Sequence, residues 1–442
     1  MASDIQWFEK PLGEITVNHD GKRRPVKESE RKKGPFPYYG ASGIVDYVDG
    51  YLFEGRHLLI AEDGENLRTR QTPIAFMADG KFWVNNHAHI VTGNGEVKTE
   101  YLHYFLQNAD IQSYLTGAVM PKLTQGNLKR IPVRYPEPEY QKSIVRVLGT
   151  LDAQIDLNRG INQTLEAMAQ ALFKSWFVDF DPVRAKIAAI QEGRDPLRAA
   201  MSAISGKLDA DLDALQPEQY DQLAATAALF PYEMEESELG EIPKGWAFQS
   251  AETLAEVGIG KTPPRKEPQW FTEGEGDWRW VSIKDMGASG VFQQRSSEFL
   301  TADAVSRFNV RVVPDRTVLL SFKLTIGRVA ITDGPMVTNE AIAHFKLPSD
   351  PVVSSEYLYL YLKSFDYSTL GSTSSIADAV NSKTIREMPV TLASRDLIDR
   401  FTKSVTPLFE EMRNRQNEIA SLGATRDALL PKLLSGEIEV PV

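Results

Sequence analysis

The sequence contains two stretches of about 40 residues in which apolar positions recur at alternating spacings of four and three, the heptad pattern of a coiled coil. A helix with such an apolar stripe buries it against a partner, and at 1.5 Å per residue each helix would extend roughly 60 Å. The predicted seam residues are Ile144, Leu148, Leu151, Ile155, Asn158, Asn162, Leu165, Leu172 and Trp176 in the first stretch, and Phe401, Val405, Leu408, Met412, Ile419, Leu422 and Leu429 in the second.

The second seam follows the first at a constant interval, and other short motifs recur in the same order. One such match could arise by chance, but several in one order indicate two homologous halves, each an irregular domain followed by a long helix. The recurring motifs are LGEI at 12–15 and 239–242, EYL at 100–102 and 356–358, PV at 132–133 and 389–390, and the pair Asn86 and Ala88 against Asn339 and Ala341.

Two long heptad helices at matching positions of a repeat are expected to pack on each other, antiparallel, about a pseudo-twofold axis. Asn158 and Asn162 would then lie near the middle of the seam, opposite Arg415 and Ile419. Buried polar residues in a coiled-coil seam fix its register at some cost in stability. The pair is therefore predicted to be a rigid spacer with one register.

The rest of the chain divides by composition. Residues 1–137 and 239–392 mix short alternating apolar runs with Gly and Pro turns, which indicates α+β domains. Residues 183–238 are Ala-rich and acidic with internal prolines, typical of a linker with short helices. Residues 138–182 and 393–442 hold the long helices and the C-terminal tail. The predicted fold is α+β: two homologous mixed α/β domains separated by a pair of long antiparallel coiled-coil helices with pseudo-twofold symmetry.

Composition excludes several classes of protein. The chain has no cysteine, which rules out disulfide scaffolds, Cys-ligated zinc and thiol catalysis. It has no apolar run of about 18 residues and no apolar stretch at its start, so neither a membrane span nor a secretory signal is expected, and the expected location is cytoplasmic. The net charge of −11 alone argues against nucleic acid, but over half of the excess acid lies in residues 141–235 and 396–442.

Three motifs suggest catalysis or metal binding, and each is incomplete. VGIGKT at 257–262 is similar to a phosphate-binding loop, but two prolines follow where the helix should begin. DFDPV at 179–183 lacks the second proline and the aromatic residue of an amino-methyltransferase motif, and is more typical of a helix end. His87 and His89 have no acidic residue at metal-ligand spacing, which favours a surface or core pair. No catalytic or metal site is predicted.

Basic residues cluster in both halves, in some places with glutamine. Lys and Arg neutralise phosphates, and Arg and Gln can form paired hydrogen bonds to base edges, so the recurrence predicts DNA binding. A solvated charge run is the alternative for any single cluster. The candidate DNA-binding residues are Lys22, Arg23, Arg24, Lys32, Lys33, Lys122, Lys129 and Arg130 in the first half, and Lys261, Arg265, Lys266, Gln293, Gln294, Arg295, Lys323 and Arg328 in the second.

Several longer motifs resemble those of type I restriction–modification specificity subunits. LDAQI at 151–155 and LFKSWFVDF at 172–180 resemble the central conserved region of that family, and SELGEIPKGW at 237–246 resembles the start of a target-recognition domain. RDALLPKLLSGEI at 426–438 resembles the end of its C-terminal conserved helix. The first half departs from this pattern, because its LGEI is not followed by PKGW.

The resemblance implies a non-catalytic subunit that reads double-stranded DNA. Residues 1–137 and 239–392 would be the two target-recognition domains, each reading one half of a split, asymmetric sequence, and the helices would set the gap. Two modification subunits would dock on the helices and methylate adenine, and restriction subunits would cleave unmodified DNA. The chain itself would hold no cofactor, since S-adenosylmethionine, ATP and Mg²⁺ would be bound by the partner subunits. A self-sufficient methyltransferase–nuclease and a coiled-coil scaffold without a DNA role are the alternatives.

Overall fold

The computed structural model describes residues 5–272, 274, 276–370 and 380–441. It separates into two compact units, the first drawn from Met1–Asp156 and Ile419–Val442 and the second from Leu157–Glu418. The sequence predicts no secretory signal at the start of the chain. Residues 1–4 of that stretch lie outside the described residues. In the part of the chain that is described, no helix is both long enough and apolar enough to cross a bilayer.

The first unit is built on two four-stranded sheets. Their strand orders are β2-β9-β6-β7 and β4-β3-β8-β5, and β1 pairs with β10 in a separate ribbon. The strands are Trp7–Pro11 (β1), Thr16–Asn18 (β2), Lys33–Gly40 (β3), Gly43–Val48 (β4), Phe53–Glu54 (β5), His57–Ala61 (β6), Ala75–Ala78 (β7), Lys81–Val84 (β8), Ala88–Gly93 (β9) and Pro132–Pro136 (β10). The helices are Leu12–Ile15 (α1), Asn66–Thr69 (α2), Thr99–Asn108 (α3), Gln125–Lys129 (α4) and Pro138–Phe177 (α5), of which α5 continues into the second unit.

The second unit contains four short helices after α5, followed by one five-stranded sheet and one four-stranded sheet. The sheet orders are β14-β22-β19-β20-β17 and β15-β18-β16-β21, and the ribbons are β11-β12 and β13-β23. The strands are Met234–Ser237 (β11), Gly240–Pro243 (β12), Ala247–Ser250 (β13), Glu256–Ile259 (β14), Phe271–Thr272 (β15), Trp278–Val281 (β16), Phe292–Gln293 (β17), Glu298–Leu300 (β18), Val318–Ser321 (β19), Val329–Thr332 (β20), Val337–Thr338 (β21), Ile342–Lys346 (β22) and Pro389–Leu392 (β23). The helices are Asp181–Gln191 (α6), Pro196–Ser205 (α7), Asp209–Leu212 (α8), Pro217–Ala228 (α9), Ala251–Leu254 (α10), Ile283–Ala288 (α11), Ala302–Arg307 (α12), Ser355–Ser364 (α13), Ser382–Glu387 (α14) and Arg395–Ser435 (α15), whose end belongs to the first unit.

The two units share one topology, which confirms the predicted repeat. The order β2-β9-β6-β7 in the first corresponds to β14-β22-β19-β20 in the second, and both add a sheet with one parallel strand pair. The recurrence of EYL is also confirmed, because Tyr101 Oη donates to Arg134 O (2.9 Å) on β10 and Tyr357 Oη donates to Thr391 O (2.6 Å) on β23. PV opens β10 and β23 alike.

Two of the predicted correspondences are wrong in detail. LGEI forms α1 in the first unit, whereas residues 239–242 lie in the β11-β12 hairpin; the counterpart of α1 is α10. The asparagine that matches Asn339 is Asn85 rather than Asn86. Asn85 Oδ1 accepts from His87 N (2.8 Å), and Asn339 Oδ1 accepts from Ala341 N (3.1 Å), the same turn before the central strand.

The long helices run antiparallel within each unit. In the second unit, Arg415 Nη1 donates to Asn158 Oδ1 (3.0 Å), and the Trp176 ring lies 5.6 Å from Phe401. In the first unit, Arg426 Nη1 lies 2.8 Å from Asp152 Oδ1. Asn158 is fully buried, so the expected polar layer opposite Arg415 is present. The predicted seam residues are all buried or half-buried.

The predicted helix ends need correction. The first helix stops at Phe177, and Pro182 lies in the first turn of α6. Phe180 adopts a left-handed conformation (φ 57°) between the two helices, and this turns the chain. The sequence predicts that Pro431 and Gly436 close the second helix; Pro431 instead lies within it, and the helix ends at Ser435, directly before Gly436 (φ 78°). Each long helix contributes to both units, because the unit boundaries lie inside the helices, after Asp156 and after Glu418.

The predicted linker at 183–238 contains α7, α8, α9 and most of α6. These helices pack on a small core of Ala200, Met201, Leu212 and Ala227. Lys186 on α6 is completely buried, donates to Phe230 O (2.5 Å) and lies 3.9 Å from the ring centroid of Tyr232. Burial without a carboxylate partner lowers the pKa of Lys186 to about 8.

The buried ammonium of Lys186 predicts a pH-dependent stability. Because its folded pKa is below the unfolded value of 10.5, the charged form costs stability below pH 8, and the cost disappears as pH rises from about 8 to 10.5. We expect the free energy of unfolding of wild type relative to Lys186→Met to rise by about 2 kcal/mol between pH 7.5 and 9.5 in urea titrations. Lys207→Met, at an exposed position, is the control; a pH-independent difference for Lys186→Met would contradict this account.

Candidate nucleic-acid interface

A basic segment, residues 20–34, connects β2 to β3 in the first unit. Two hydrogen bonds hold it on the second sheet: Trp83 Nε1 donates to Arg24 O (2.6 Å), and Val26 N donates to Tyr38 Oη (2.9 Å). Its predicted cations that are exposed are Lys22, Arg24, Lys32 and Lys33. These side chains extend from a backbone that is fixed to the sheet, which suits contacts that position a protein on phosphates.

Arg23, also predicted to bind DNA, instead holds the segment in place from within. Arg23 Nη1 donates to Glu62 Oε2 (2.6 Å), and His89 Nδ1 lies 2.7 Å from Asp20 Oδ2. Burial alone would raise the pKa of Asp20, but the hydrogen bonds from His89 and from Ile90 N outweigh it and lower the pKa to about 2. These ionic residues therefore form a buried network under the basic segment.

The same network reaches the predicted residue Lys122. Lys122 Nζ lies 3.2 Å from Glu62 Oε1, and His89 Nε2 lies 2.7 Å from Leu123 O. The Lys122 side chain remains 48% exposed. The structure therefore brings Lys122 beside the basic segment, although they are about 90 residues apart in sequence.

Lys129 and Arg130 lie at the C-terminal end of α4, a helix capped by the Thr124 side chain. Both are exposed. Arg130 Nη2 donates to Asn127 Oδ1 (2.6 Å), and the Lys129 side chain packs against Gly13 of α1. The same helix is joined to the buried network at its other end, where Gln125 Nε2 donates to Asp20 Oδ2 (3.1 Å).

In the second unit, Lys261, Arg265 and Lys266 occupy the position that the basic segment has in the first, after the edge strand of the central sheet. All three are exposed. The Arg265 guanidinium lies 4.2 Å from the ring centroid of Phe271 and 4.4 Å from that of Trp280, and Nη1 lies 2.6 Å from Glu298 Oε1. Ring stacking and the ion pair orient Arg265. The two halves thus hold corresponding cations by different means.

The structure removes some candidates from the interface. Gln293 is completely buried, and its amide donates to Arg295 O, so its side chain lies in the core of the unit. Gln294 Nε2 bonds Asp333 Oδ2 (2.8 Å) and Asn417 Oδ1 (2.7 Å). Arg328 is half-buried and donates to Ile283 O (2.6 Å). These three residues support the second unit, whereas Arg295 and Lys323 are exposed.

The motifs that suggested catalysis have structural explanations. VGIGKT forms β14 and a turn, and the next helical element is the single turn Pro268–Trp270. Gly260 allows close packing, since a Cβ there would lie 2.2 Å from Asn339 O. His87 is exposed and its Nδ1 lies 2.8 Å from Asp63 Oδ2. Among the described residues, no group of three or more His, Asp or Glu side chains is placed to hold a metal ion.

Residue patterns alone missed two kinds of side chain near the cations. Trp83 and Trp280 orient basic residues, although each could equally have been a core residue by sequence. Val119, Met120 and Leu324 are apolar but 94%, 64% and 92% exposed. For Val119 and Met120, the only signal in the sequence was their position between Gly117 and Pro121.

Comparison with known proteins identifies the same family over most of the chain. A family model for the type I restriction modification DNA specificity domain matches residues 5–167 and 243–394. The HindI specificity subunit of Haemophilus influenzae, a type I restriction enzyme, is 34% identical over 416 residues, covering 90% of this chain and 86% of that protein. The MjaIX specificity subunit of Methanocaldococcus jannaschii is 25% identical over 460 residues, covering 98% and 94%.

A solved structure has the same fold. The S subunit of the type I restriction–modification system from M. genitalium aligns over 98% of this chain and 97% of its own, with a TM-score of 0.51 and 13% sequence identity. At that identity the likeness concerns the fold alone, and it agrees with the predicted α+β architecture with long helices.

The neighbours Arg23 and Arg24 predict opposite phenotypes. Arg23→Ala removes one of the two cations paired with Glu62 and the donor to Ala88 O, and should lower the free energy of unfolding by about 1–3 kcal/mol. Arg24→Ala removes an exposed side chain and should change stability by less than about 0.5 kcal/mol. It should instead reduce the slope of log K against log salt for duplex binding by about 0.9. Urea unfolding and binding titrations with the assembled complex measure both; an unchanged salt slope for Arg24→Ala would exclude it from the interface.

Proposed function

Because the chain belongs to the family of type I restriction–modification specificity subunits, we propose that its two units each read one half of a split, asymmetric DNA sequence. Members of this family are the non-catalytic DNA-recognition components of these systems. The observation that carries the proposal is the shared strand order of the units, with an exposed basic segment at the same place in each. Two related but non-identical readers favour an asymmetric target over a palindrome.

The exposed cations fit phosphate contacts better than base readout. Lys22, Arg24, Lys32 and Lys33 in the first unit, with Lys261 and Lys266 in the second, stand on fixed backbone and would position the duplex. The Arg265 guanidinium lies over the Trp280 ring, 4.4 Å from its centroid, and its planar fork suits a directional contact. Base readout would then come from a smaller set of oriented side chains.

We further propose that the long helices set the distance between the two half-sites. Their 40 and 41 residues correspond to about 60 Å, which bounds the separation of the half-sites at about 17 base pairs of 3.4 Å rise. The buried pair of Asn158 and Arg415 supports a fixed register, because a shifted helix would place the arginine against apolar residues.

The partners are proposed on the same basis. Two modification subunits would dock on the helices, bind S-adenosylmethionine and methylate adenine, and restriction subunits would use ATP and Mg²⁺ to cleave unmodified DNA. Double-stranded DNA is the remaining partner. The incomplete VGIGKT and DFDPV motifs agree with a chain that leaves these chemistries to other subunits.

Exchange of one recognition unit tests modular reading. Replacing residues 240–392 with the counterpart from a relative of different specificity should change one half of the methylated sequence and leave the other intact, because each unit has its own core. Genome-wide mapping of methylated adenine in cells that also express the modification subunit measures this. Changes in both halves would contradict independent reading.

Lengthening both helices by one heptad tests the spacer. Insertions at the level of Asn162 and Met412, which face each other (Asn162 Nδ2 to Met412 O, 3.3 Å), should add about 10.5 Å and widen the target gap by about three base pairs with the same bases read. The same insertion in α5 alone is the matched control and should abolish methylation, since the seams no longer match. An unchanged gap after the double insertion would exclude the helices as spacer.

A further inference from the structure

A rigid hairpin in the first unit presents two apolar side chains to solvent. Thr116 N donates to Lys122 O (2.8 Å), and Lys122 N donates to Thr116 O (2.7 Å), which closes the hairpin. Val119 is 94% exposed and Met120 64% exposed at its tip. Gly117 has φ of 87°, and a Cβ there would lie 2.2 Å from Met120 O, so the turn depends on glycine.

The hairpin is anchored to the rest of the unit at several points. Gly64 N donates to Pro121 O (3.1 Å), and Arg68 Nη2 donates to Gly117 O (2.8 Å). Leu123 N donates to Glu62 O (2.8 Å), and Pro121 is buried. Several hydrogen bonds therefore hold the base of the hairpin, and the exposed apolar groups at its tip do not contribute to the core.

The charges around this tip identify its partner. Lys122 and Arg68 flank it, and Glu62 and His89 connect its base to the side-chain carboxylate of Asp20, at the start of the basic segment. The nearby carboxylates are all paired: Asp63 with His87, Glu62 with two cations, and Glu65 with Arg68 (3.5 Å). An apolar tip between cations matches a base step between two phosphates, whereas a protein-binding patch would need a broader apolar area.

We propose that Val119 and Met120 form a wedge that inserts between adjacent base pairs of the half-site read by the first unit, with Lys122 on the neighbouring phosphate. Apolar side chains that enter a base step unstack it and bend the duplex, which adds specificity for steps that unstack easily. This inference rests on the proposed function and adds deformation of the DNA to the reading of its edges.

The second unit has a comparable feature on another loop. Leu324, between β19 and β20, is 92% exposed and follows the exposed Lys323. It adopts φ of 62°, and Ser321 Oγ donates to Thr325 O (2.7 Å) across the loop. The segment that corresponds to the first hairpin falls on residues 371–379, outside the described residues. Each unit thus has an almost fully exposed apolar residue within three residues of an exposed lysine.

The test uses the complex of the chain with its modification subunits and duplexes that carry 2-aminopurine at each position of the first half-site except the methylated adenine. Wild type is expected to raise fluorescence at one base step. In the double variant Val119→Ser, Met120→Ser this rise should disappear, and the affinity for the target should fall about tenfold or more at an unchanged salt slope. Leu208→Ser, at a 74% exposed position between α7 and α8, is the control and should behave as wild type.

Three results would overturn the wedge. The first is that the wild-type complex methylates its target without unstacking any base step of that half-site. This result would refute the wedge and leave the proposed function intact. The second is a fluorescence rise that persists in the double variant. The third is a double variant that binds DNA normally but loses a modification subunit in sedimentation, which would make the tip a protein contact. Absence of any sequence-specific binding by wild type would instead refute the proposed function.

Discussion

The antiparallel packing of α5 and α15 positions the rest of each unit. A few polar side chains on these helices form hydrogen bonds with other helices and strands of the unit. In the first unit, Asp152 accepts from Tyr104 Oη (2.7 Å) on α3 and pairs with Arg426 on α15. In the second, Glu166 accepts from Tyr359 Oη (2.7 Å), and Gln416 exchanges two hydrogen bonds of 3.0 Å with the backbone of Phe292 on β17. These contacts connect α3, α13 and β17 to particular residues of the long helices, so the register of the helices affects where these elements lie.

The sequence predicted the elements whose structure depends mainly on neighbouring residues, namely the long helices, and the order of the repeated motifs. The heptads predicted both helices to within a few residues, and the order of motifs predicted the repeat. The error at LGEI shows the limit: four identical residues form a helix at 12–15 and part of a hairpin at 239–242, because the pairing partners of the chain decide the outcome. The helices of 183–238 were predicted from composition, but a fully buried Lys186 could not be, since its burial depends on packing across that segment.

The sequence predicted which residue types the candidate interface contains, but not which of those residues face solvent. Neighbours such as Arg23 and Arg24 are equivalent in sequence, yet one pairs with Glu62 inside the unit and the other faces solvent. Gln293 and Gln294 are a base-reading pair by residue type, but Gln293, on the two-residue strand β17, is completely buried. The network of Asp20, Glu62 and His89 joins strands that are distant in the chain, so no spacing rule could have found it.

The different supports of the two basic segments have an evolutionary consequence. In the first unit Arg23 and His89 are paired with largely buried carboxylates beneath the segment, whereas in the second Arg265 itself is held by two aromatic rings and by Glu298. Substitution of the exposed cations should therefore leave folding intact. A change in one of the supporting residues would require a matching change in its partner. New specificities would arise by small steps at the surface of each half, while recombination would be needed to replace the supports themselves.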